Sequence, residues 1–442
     1  MTSCKAQLYP RTIPQVSRLG ILCRVKAPAL TIYPANGQEM ASWRGSSVRK
    51  VLFVLPVSLF IFFSAARPAY PQISNASANI LVDDDKVQCP TAQFTTIQAA
   101  VNAANSGDVI RVCAGTYPEQ VTISTPLTLR ADNGVVVIPS GMTQNSTGAS
   151  GGGSIAAIFV VQGVQGVDID GFIVDGSNNG LIGCSPQLIG IDYENSSGHI
   201  RHNAVRHMNL GSALPGCQSG DGIEVETGSG SASDVTISDN SIWDYQKNGI
   251  TGNEQGTQLS VDGNVVSGIG PTPNIAQNGI QIGFGAAGKI TNNTVSDNIY
   301  SICSSSASCP TNATGILVFQ SDGVAVRNNS LATNQIGVFI GGDNSVVASN
   351  TISNSVALIG VTLVGNDNSS VRNTLTHADQ AAIYIQGNGN RATGNDITDA
   401  AIGVLKISGS TGSTIANNVF HATLITIQDP APTRPIGVSP VR

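Results

Sequence analysis

The chain has 442 residues, of which 49 are Gly, 5% are aromatic and 11% charged. Helix formers are scarce while Gly, Asn, Ser, Thr and Val abound, a composition of many short strands joined by tight turns that excludes a helical bundle or coiled coil. The formal net charge of -6 hides nine Lys or Arg at or before Arg67 against one acid, so the remainder holds 13 basic and 27 acidic residues and excludes nucleic acid as a partner by repelling phosphate.

Residues 1–66 read as a targeting region. Arg49 and Lys50 precede an apolar run, Val51 to Phe63, and then Ser64-Ala65-Ala66. That is the charged, apolar, small-residue order of a secretory signal peptide, and Met40 to Ala66 is a complete signal by itself. The run is broken by Pro56 and is shorter than the roughly 20 residues of a membrane span. An uncleaved signal anchor is the alternative. The expectation is a secreted, periplasmic or extracellular protein, compatible with attachment to a cell surface, with no stable span after cleavage. Six cysteines then remain, and an even count behind a signal favours disulfides over metal ligands.

Residues 67–93 form an entry segment in which Asp83-Asp84-Asp85 reads as solvated. A short helix follows at Ile97 to Ala104, capped by Thr95 or Thr96, with Ile97, Ala100, Val101 and Ala104 on one face. Strands are expected at Val109–Val112, Val121–Ile123 and Leu127–Leu129. One amphipathic helix ahead of a repeat array is read as a lid over its open end.

The array itself spans 94–425. An apolar residue, two others, Asn, one more and an apolar residue recur around Asn203, Asn240, Asn264, Asn293, Asn329, Asn350, Asn395 and Asn418. Asn373 fits with one residue fewer before it, and Gly171 marks an Asn-less copy. Between these lie Gly-led apolar strands at Gly190, Gly222, Gly249, Gly279, Gly315, Gly337, Gly360 and Gly403. A unit of about 22 residues cannot bury its own apolar face, but stacked copies can, with strands about 4.8 Å apart. The pattern predicts an all-β, right-handed parallel β-helix of about 12 coils, with the Asn series as a turn ladder. Residues 426–442, rich in Pro, read as a disordered tail.

From ladder Asn to the next Gly, five coils need only 8 to 10 residues. The stretches from Gly171, Asn203, Asn264 and Asn293 need 19, 19, 15 and 22. All long insertions therefore leave at one corner and stand side by side as a wall. Cys184 and Cys217 fall in insertions of adjacent coils, and Cys303 and Cys309 in one later insertion. The expected disulfides are Cys184–Cys217, Cys303–Cys309 and Cys89–Cys113.

On the strand after that corner, side chains alternate inward and outward. With Ile191, Ile223, Ile250 and Ile280 inward, Asp192, Glu194, Glu224 and Glu226 form an outward two-by-two grid, about 5 Å across coils and 6 to 7 Å along a strand. Asp221, Asn248, Asn278, Gln281 and Asn253 extend a polar strip expected to bind substrate. Like charges so close need a cation or a shared proton. Three readings stay open: a Ca²⁺ site that bridges to an acidic sugar, an acid and nucleophile pair for glycoside hydrolysis, or a bare solvated face. Lys247, two residues before Gly249, is the best placed base for lyase chemistry. His199, His202 and His207 match no zinc spacing and read as exposed turn residues.

The opening Phe94-Thr-Thr-Ile-Gln-Ala-Ala-Val-Asn-Ala-Ala, with Gly107-Asp108 and Ala114-Gly-Thr-Tyr-Pro-Glu119, resembles pectin-lyase-like proteins, and the Asn repeats resemble that superfamily's parallel β-helix repeats. The resemblance covers nearly all of the mature chain and implies fold more than activity. The Asp-Phe-Ile-Phe motif of pectin methylesterases, the Asn-Thr-Asp and Gly-His-Gly set of polygalacturonases, the Arg-x-Pro-x-x-Arg of pectate lyases and the Asp-Pro-His of mannuronan epimerases are absent. The repeats also resemble copper-delivery β-helix proteins, but few Met and His accompany them. The expectation is a monomer that binds polysaccharide, acidic or neutral, on the loop-walled face. It either cleaves or modifies that polymer as a lyase, hydrolase or epimerase, or serves as a non-catalytic carbohydrate-binding or surface module.

Overall fold

The computed structural model describes residues 80–211, 213–303, 311–353, 358–431 and 436–441, all within the unit Pro71–Arg442. The targeting region, and with it the signal peptide, lies outside the described residues.

The chain visits three sheets in rotation. Sheet 1 runs from Ile80–Val82 and Asp108–Val112 to Thr414–Ala416 and has 13 strands. Sheet 2 runs from Gly115–Tyr117 to Val419–His421 and has 12 strands. Sheet 3 runs from Val121–Ile123 to Ile425–Ala431, every step parallel, with Ser146–Thr147 added antiparallel to the strand Ser154–Gln162. The expected coil count and parallel β-helix hold.

Stacking explains the core. Ile191, Ile223, Ile250, Ile280, Ile316, Val338, Val361, Ile383 and Val404 pair in unbroken register along sheet 3, each fully buried. A β-branched column of this kind suits strands covered on both faces. A Gly precedes each column member except Ile383, which follows Ala382, and at Gly222 it is a steric need. A Cβ on Gly222 would lie 2.6 Å from the Gly249 carbonyl oxygen and 2.6 Å from the Ile242 side chain.

The Asn ladder forms at the corner between sheets 1 and 2. Asn240 Nδ2 donates to Ile200 O (2.9 Å) and to Asn264 Oδ1 (3.0 Å), and Asn264 repeats the pattern with Ile237 O and Asn293 Oδ1. The chain of bonds continues to Asn418. Every turn thus satisfies buried amides through its neighbour.

The helix spans Ile97–Ala103, with Thr96 as N-cap and Ile97, Ala100 and Val101 buried. Glu119 accepts from the amides of Ile97 and Gln98 (2.8 and 2.9 Å), which a helix start leaves without partners. That contact gives the Tyr-Pro-Glu end of the opening motif its structural role. Disulfides Cys89–Cys113 and Cys184–Cys217 are present, while Cys303–Cys309 lies outside the described residues.

Two expectations need correction. Asp83 is fully buried rather than solvated, and accepts from the Cys89 amide at 2.5 Å. The stretch expected as a disordered tail contains the last strand of sheet 3, Ile425–Ala431, and an ordered segment 436–441 lying against the coils. The carbonyls of Gly437, Ser439 and Val441 accept from side chains of the coils and fix it.

Candidate functional site

The columns foreseen on sheet 3 are in register. Asp192 pairs with Glu224, then Thr251, Gln281 and Leu317; Glu194 pairs with Glu226, then Asn253, Gly283 and Phe319. Asp221 follows Ile189, and Asn248, Asn278 and Thr314 continue that column. The long insertions border this sheet, as their shared corner requires.

The face is nevertheless not open. Asp192, Asp221, Lys247, Asn248, Asn278 and Gln281 are 0% exposed, and Glu194, Glu224, Glu226 and Asn253 at most 5%. This corrects the reading of a bare solvated acidic surface. The outward side chains are sealed beneath two covers contributed by distant parts of the chain.

The first cover is the hairpin around Ser146 and Ser150, itself an insertion at the same corner. Ser146 Oγ donates to Glu194 (2.5 Å), Ala149 N to Glu226 (3.0 Å), and Ser150 donates to Glu226 through both its hydroxyl and its amide. Gln187 Nε2 reaches Asp221 (2.8 Å) and Glu224 (3.1 Å). Neither oxygen of Asp192 has a donor. Burial, then the charge and hydrogen bonding of Glu194 and the charges of Glu224 and Glu226, hold the Asp192 carboxyl well above the usual range. Burial, then Asp221, Glu226 and Glu194, do the same to Glu224. The shared-proton solution to close carboxylates is the one this packing favours.

Among the described residues, the groups whose ligand atoms converge within 4.8 Å are Asp83-Asp84-Asp85 and Cys89-Cys113-Asp132, not the grid. The two cysteines of the second group are spent in a disulfide.

The second cover is the segment 436–441. Lys247 Nζ donates to Ala276 O (2.8 Å), to Ser439 O, and to Ser439 Oγ (3.1 Å). Asn278 Nδ2 donates to Ser439 O (2.9 Å), and Gln281 Nε2 and Asn253 Nδ2 to Val441 O (2.7 and 3.1 Å). Val441 N returns a bond to Gln281 Oε1 (3.0 Å), and Asn312 Nδ2 holds Gly437 O (2.9 Å). Burial lowers the Lys247 ammonium to about 7, against the pull of Asp221. Burial raises Asp221 to about 6, against Gln187, Lys247 and the Asn248 amide. Burial thus moves the Lys247 ammonium down and the Asp221 carboxyl up, and the attraction between the two charges opposes both shifts.

Further along, the same outward columns turn apolar. Leu317, Ile336 and Phe339 form a buried cluster on which Ile436 and Val438 pack. A cleft lined by Ser150, Thr227, Ser231, Glu254 and Gln255 opens beside the hairpin, at the corner between sheets 3 and 1 that the insertion pattern did not single out. Of the histidines expected in exposed turns, His202 lies at an exposed bend, whereas His199 and His207 lie within the strands Ser197–Arg201 and Ala204–Met208 and His207 is half-buried; His199, His202 and His207 pair through Nδ1 with Asp168, Asp170 and Asp244 at 2.8, 2.9 and 2.5 Å.

Three parallel sheets coiled about an aliphatic column, with an Asn ladder at one corner and a helical lid, define a pectin-lyase-like right-handed parallel β-helix. Within that class the chain belongs to the DUF1565 family, described as a protein of unknown function, whose model matches residues 83–315. Residues 263–430 match the model of NosD, described as a periplasmic copper-binding protein. That stretch holds His377, His421, Cys303 and Cys309 and no Met. Among solved structures, the complex of XylC with xylose is similar at 11% identity over 76% of this chain and 86% of that one, with a TM-score of 0.50. The selenomethionine derivative of the GH136 lacto-N-biosidase from Eubacterium ramulus is similar at 11% identity over 78% of this chain and 68% of that one, with a TM-score of 0.51. At such identity the likeness is one of fold. No curated protein matches the chain. Among the described residues, no helix is long and apolar enough to cross a membrane.

Proposed function

We propose that this protein is exported and binds a polysaccharide along the polar lane of sheet 3. The observation that carries the reading is that successive strands present Lys247, Asn278, Gln281 and Asn253 as donors to the oxygens of one extended segment. Donors paired across two neighbouring strands, and paired again three residues further along the strand at Gln281, suit an extended polymer rich in oxygen acceptors. Two disulfides suit an oxidising compartment outside the cytoplasm, where such polymers are met.

The test is a panel of acidic and neutral polysaccharides, with and without calcium. Asn278→Ala combined with Gln281→Ala is expected to weaken binding of the recognised polymer by about tenfold or more, since each lost donor discriminates by roughly 1 kcal/mol. Binding that ignores this pair of substitutions overturns the lane as the site.

A second reading is cleavage or modification in the same lane. Lys247 and Asp221, set to titrate at about 7 and about 6, support it as a base and acid pair. Unsaturated products or new reducing ends that vanish in Lys247→Met would establish it; bound polymer that stays intact would leave a binding module.

A further inference from the structure

The segment Ile436–Val441 occupies the groups that the proposed function assigns to polymer. We infer that it is a tethered occupant of the lane, a built-in competitor that polysaccharide must displace. The inference rests on the lane being the binding face.

The contacts are those of a ligand. Three alternate carbonyls, of Gly437, Ser439 and Val441, accept from side chains of the coils: Asn312, then Lys247 and Asn278, then Asn253 and Gln281. Val441 N completes a two-way pair with Gln281. Among the described residues, backbone pairing of the segment to the coils is a single bridge between Val438 and Asn312. The segment is therefore not another strand of the solenoid. It is recognised by outward side chains, as a bound chain is.

The alternative is a permanent structural cover. A cover of that kind is best laid on apolar columns, because burying polar donors is costly unless each is bonded. The coils do provide an apolar patch, at Leu317, Ile336 and Phe339, and Ile436 and Val438 use it as an anchor. The segment then leaves that patch and crosses the polar donors. Ser439 and Val441 replace, bond for bond, what water or a polymer oxygen would supply. Donors satisfied in this way are exchangeable, and their pairing with an acceptor-rich ligand is the same chemistry.

Tethering makes the competition strong. A ligand on a short tether acts at an effective concentration of about millimolar. The apparent affinity for polymer is reduced by the fraction of time the lane is free. The full chain should thus bind polymer less tightly than its lane allows.

The test uses the full chain with Ile436→Asp, Val438→Asp and Val441→Asp, which set charge against the apolar anchor and the acidic grid. The hydrophobic column of the coils is untouched, so the circular dichroism spectrum should be retained. The single Val441→Asp variant, which leaves the anchor in place, is the second arm should the triple variant fold poorly. Two probes are applied: the hexapeptide Ile-Gly-Val-Ser-Pro-Val with blocked ends, and the polysaccharide panel. The released variant should bind the peptide while the parent chain does not, and should bind polymer at least about tenfold more tightly than the parent, with the peptide displacing it. Peptide binding without any polymer binding upholds the tethered occupant and sinks the polysaccharide reading. Equal polymer binding by parent and released chains overturns the occupant and leaves the function standing. No peptide binding by either released variant also overturns it.

Discussion

Asp192 lies between Glu194, Glu224 and Glu226, and neither of its oxygens meets a donor, so the proton it holds is part of the packing. The sign of the linkage follows. Asp192 and Glu224 have folded pKa values raised above their unfolded ones, so the native state binds more protons. Their contribution to stability is full below the ordinary carboxylate range and is lost as pH rises through the raised values. Asp221, raised to about 6, adds to the same trend. Lys247, lowered to about 7, runs the other way, but its change lies between about 7 and the ordinary lysine range. Between pH 7 and pH 5 the carboxyls therefore set the slope, and the melting temperature should rise as pH falls. Asp192→Asn removes the most strained of them. It should raise stability at pH 7.5 and flatten that slope, because a carboxyl that the fold holds protonated is replaced by a neutral amide. Thermal melts of parent and variant at both pH values decide it; a variant less stable at pH 7.5 would show the carboxyl is not the source of strain.

At the level of elements, the ladder is where sequence and structure agree most closely. Asn264 donates to Ile237 O and Asn293 Oδ1, and its own Oδ1 accepts from Asn240 N and Nδ2. Asn264→Ala strands these partners in a buried corner and should cost about 2–4 kcal/mol, from roughly 1–3 kcal/mol for each polar group left unpaired. A denaturation midpoint that does not move would show that the ladder is dispensable at that coil. The ladder was legible because its spacing is local: one Asn per turn, 13 to 15 residues after the strand Gly, or Ala382, in every coil but the one after Gly222, where it is 18. The insertion corner, the register of Asp192 with Glu224, and the disulfide Cys184–Cys217 were legible for the same reason. The state of the lane was not. Its covers come from residues 146–150 and 436–441, far from the strands they seal. Alternation says which way Gln281 points, but not that Val441 will meet it. Pro435 and Pro440 gave the last segment the composition of disorder, whereas its carbonyls found the side-chain donors of five residues on the coils.

For the solenoid as a whole, the two ends are unequal. The helix Ile97–Ala103 closes the first coils with Ile97, Ala100 and Val101, and both observed disulfides lie before residue 218. Among the described residues, no such lid covers the last coil, Thr414–Ala416, Val419–His421 and Ile425–Ala431. Val419 is 51% exposed, Leu424 85% and Ile425 47%. In a stack each coil is stabilised by its neighbours, so a coil with one neighbour is held about half as well as an inner one. Local opening should therefore begin at this end and advance inward coil by coil. The inner strands Ser233–Ser238 and Thr257–Asp262 have partners on both sides and the Asn240–Asn264 ladder beside them. Native-state hydrogen exchange should show the amides of Thr414–Ala431 exchanging at least about a hundredfold faster than those of Ser233–Asp262, a gap of roughly 3 kcal/mol in opening free energy. Protection that is uniform along the stack would mean that the coils open together, and would remove the basis for treating the bare end as the weak one.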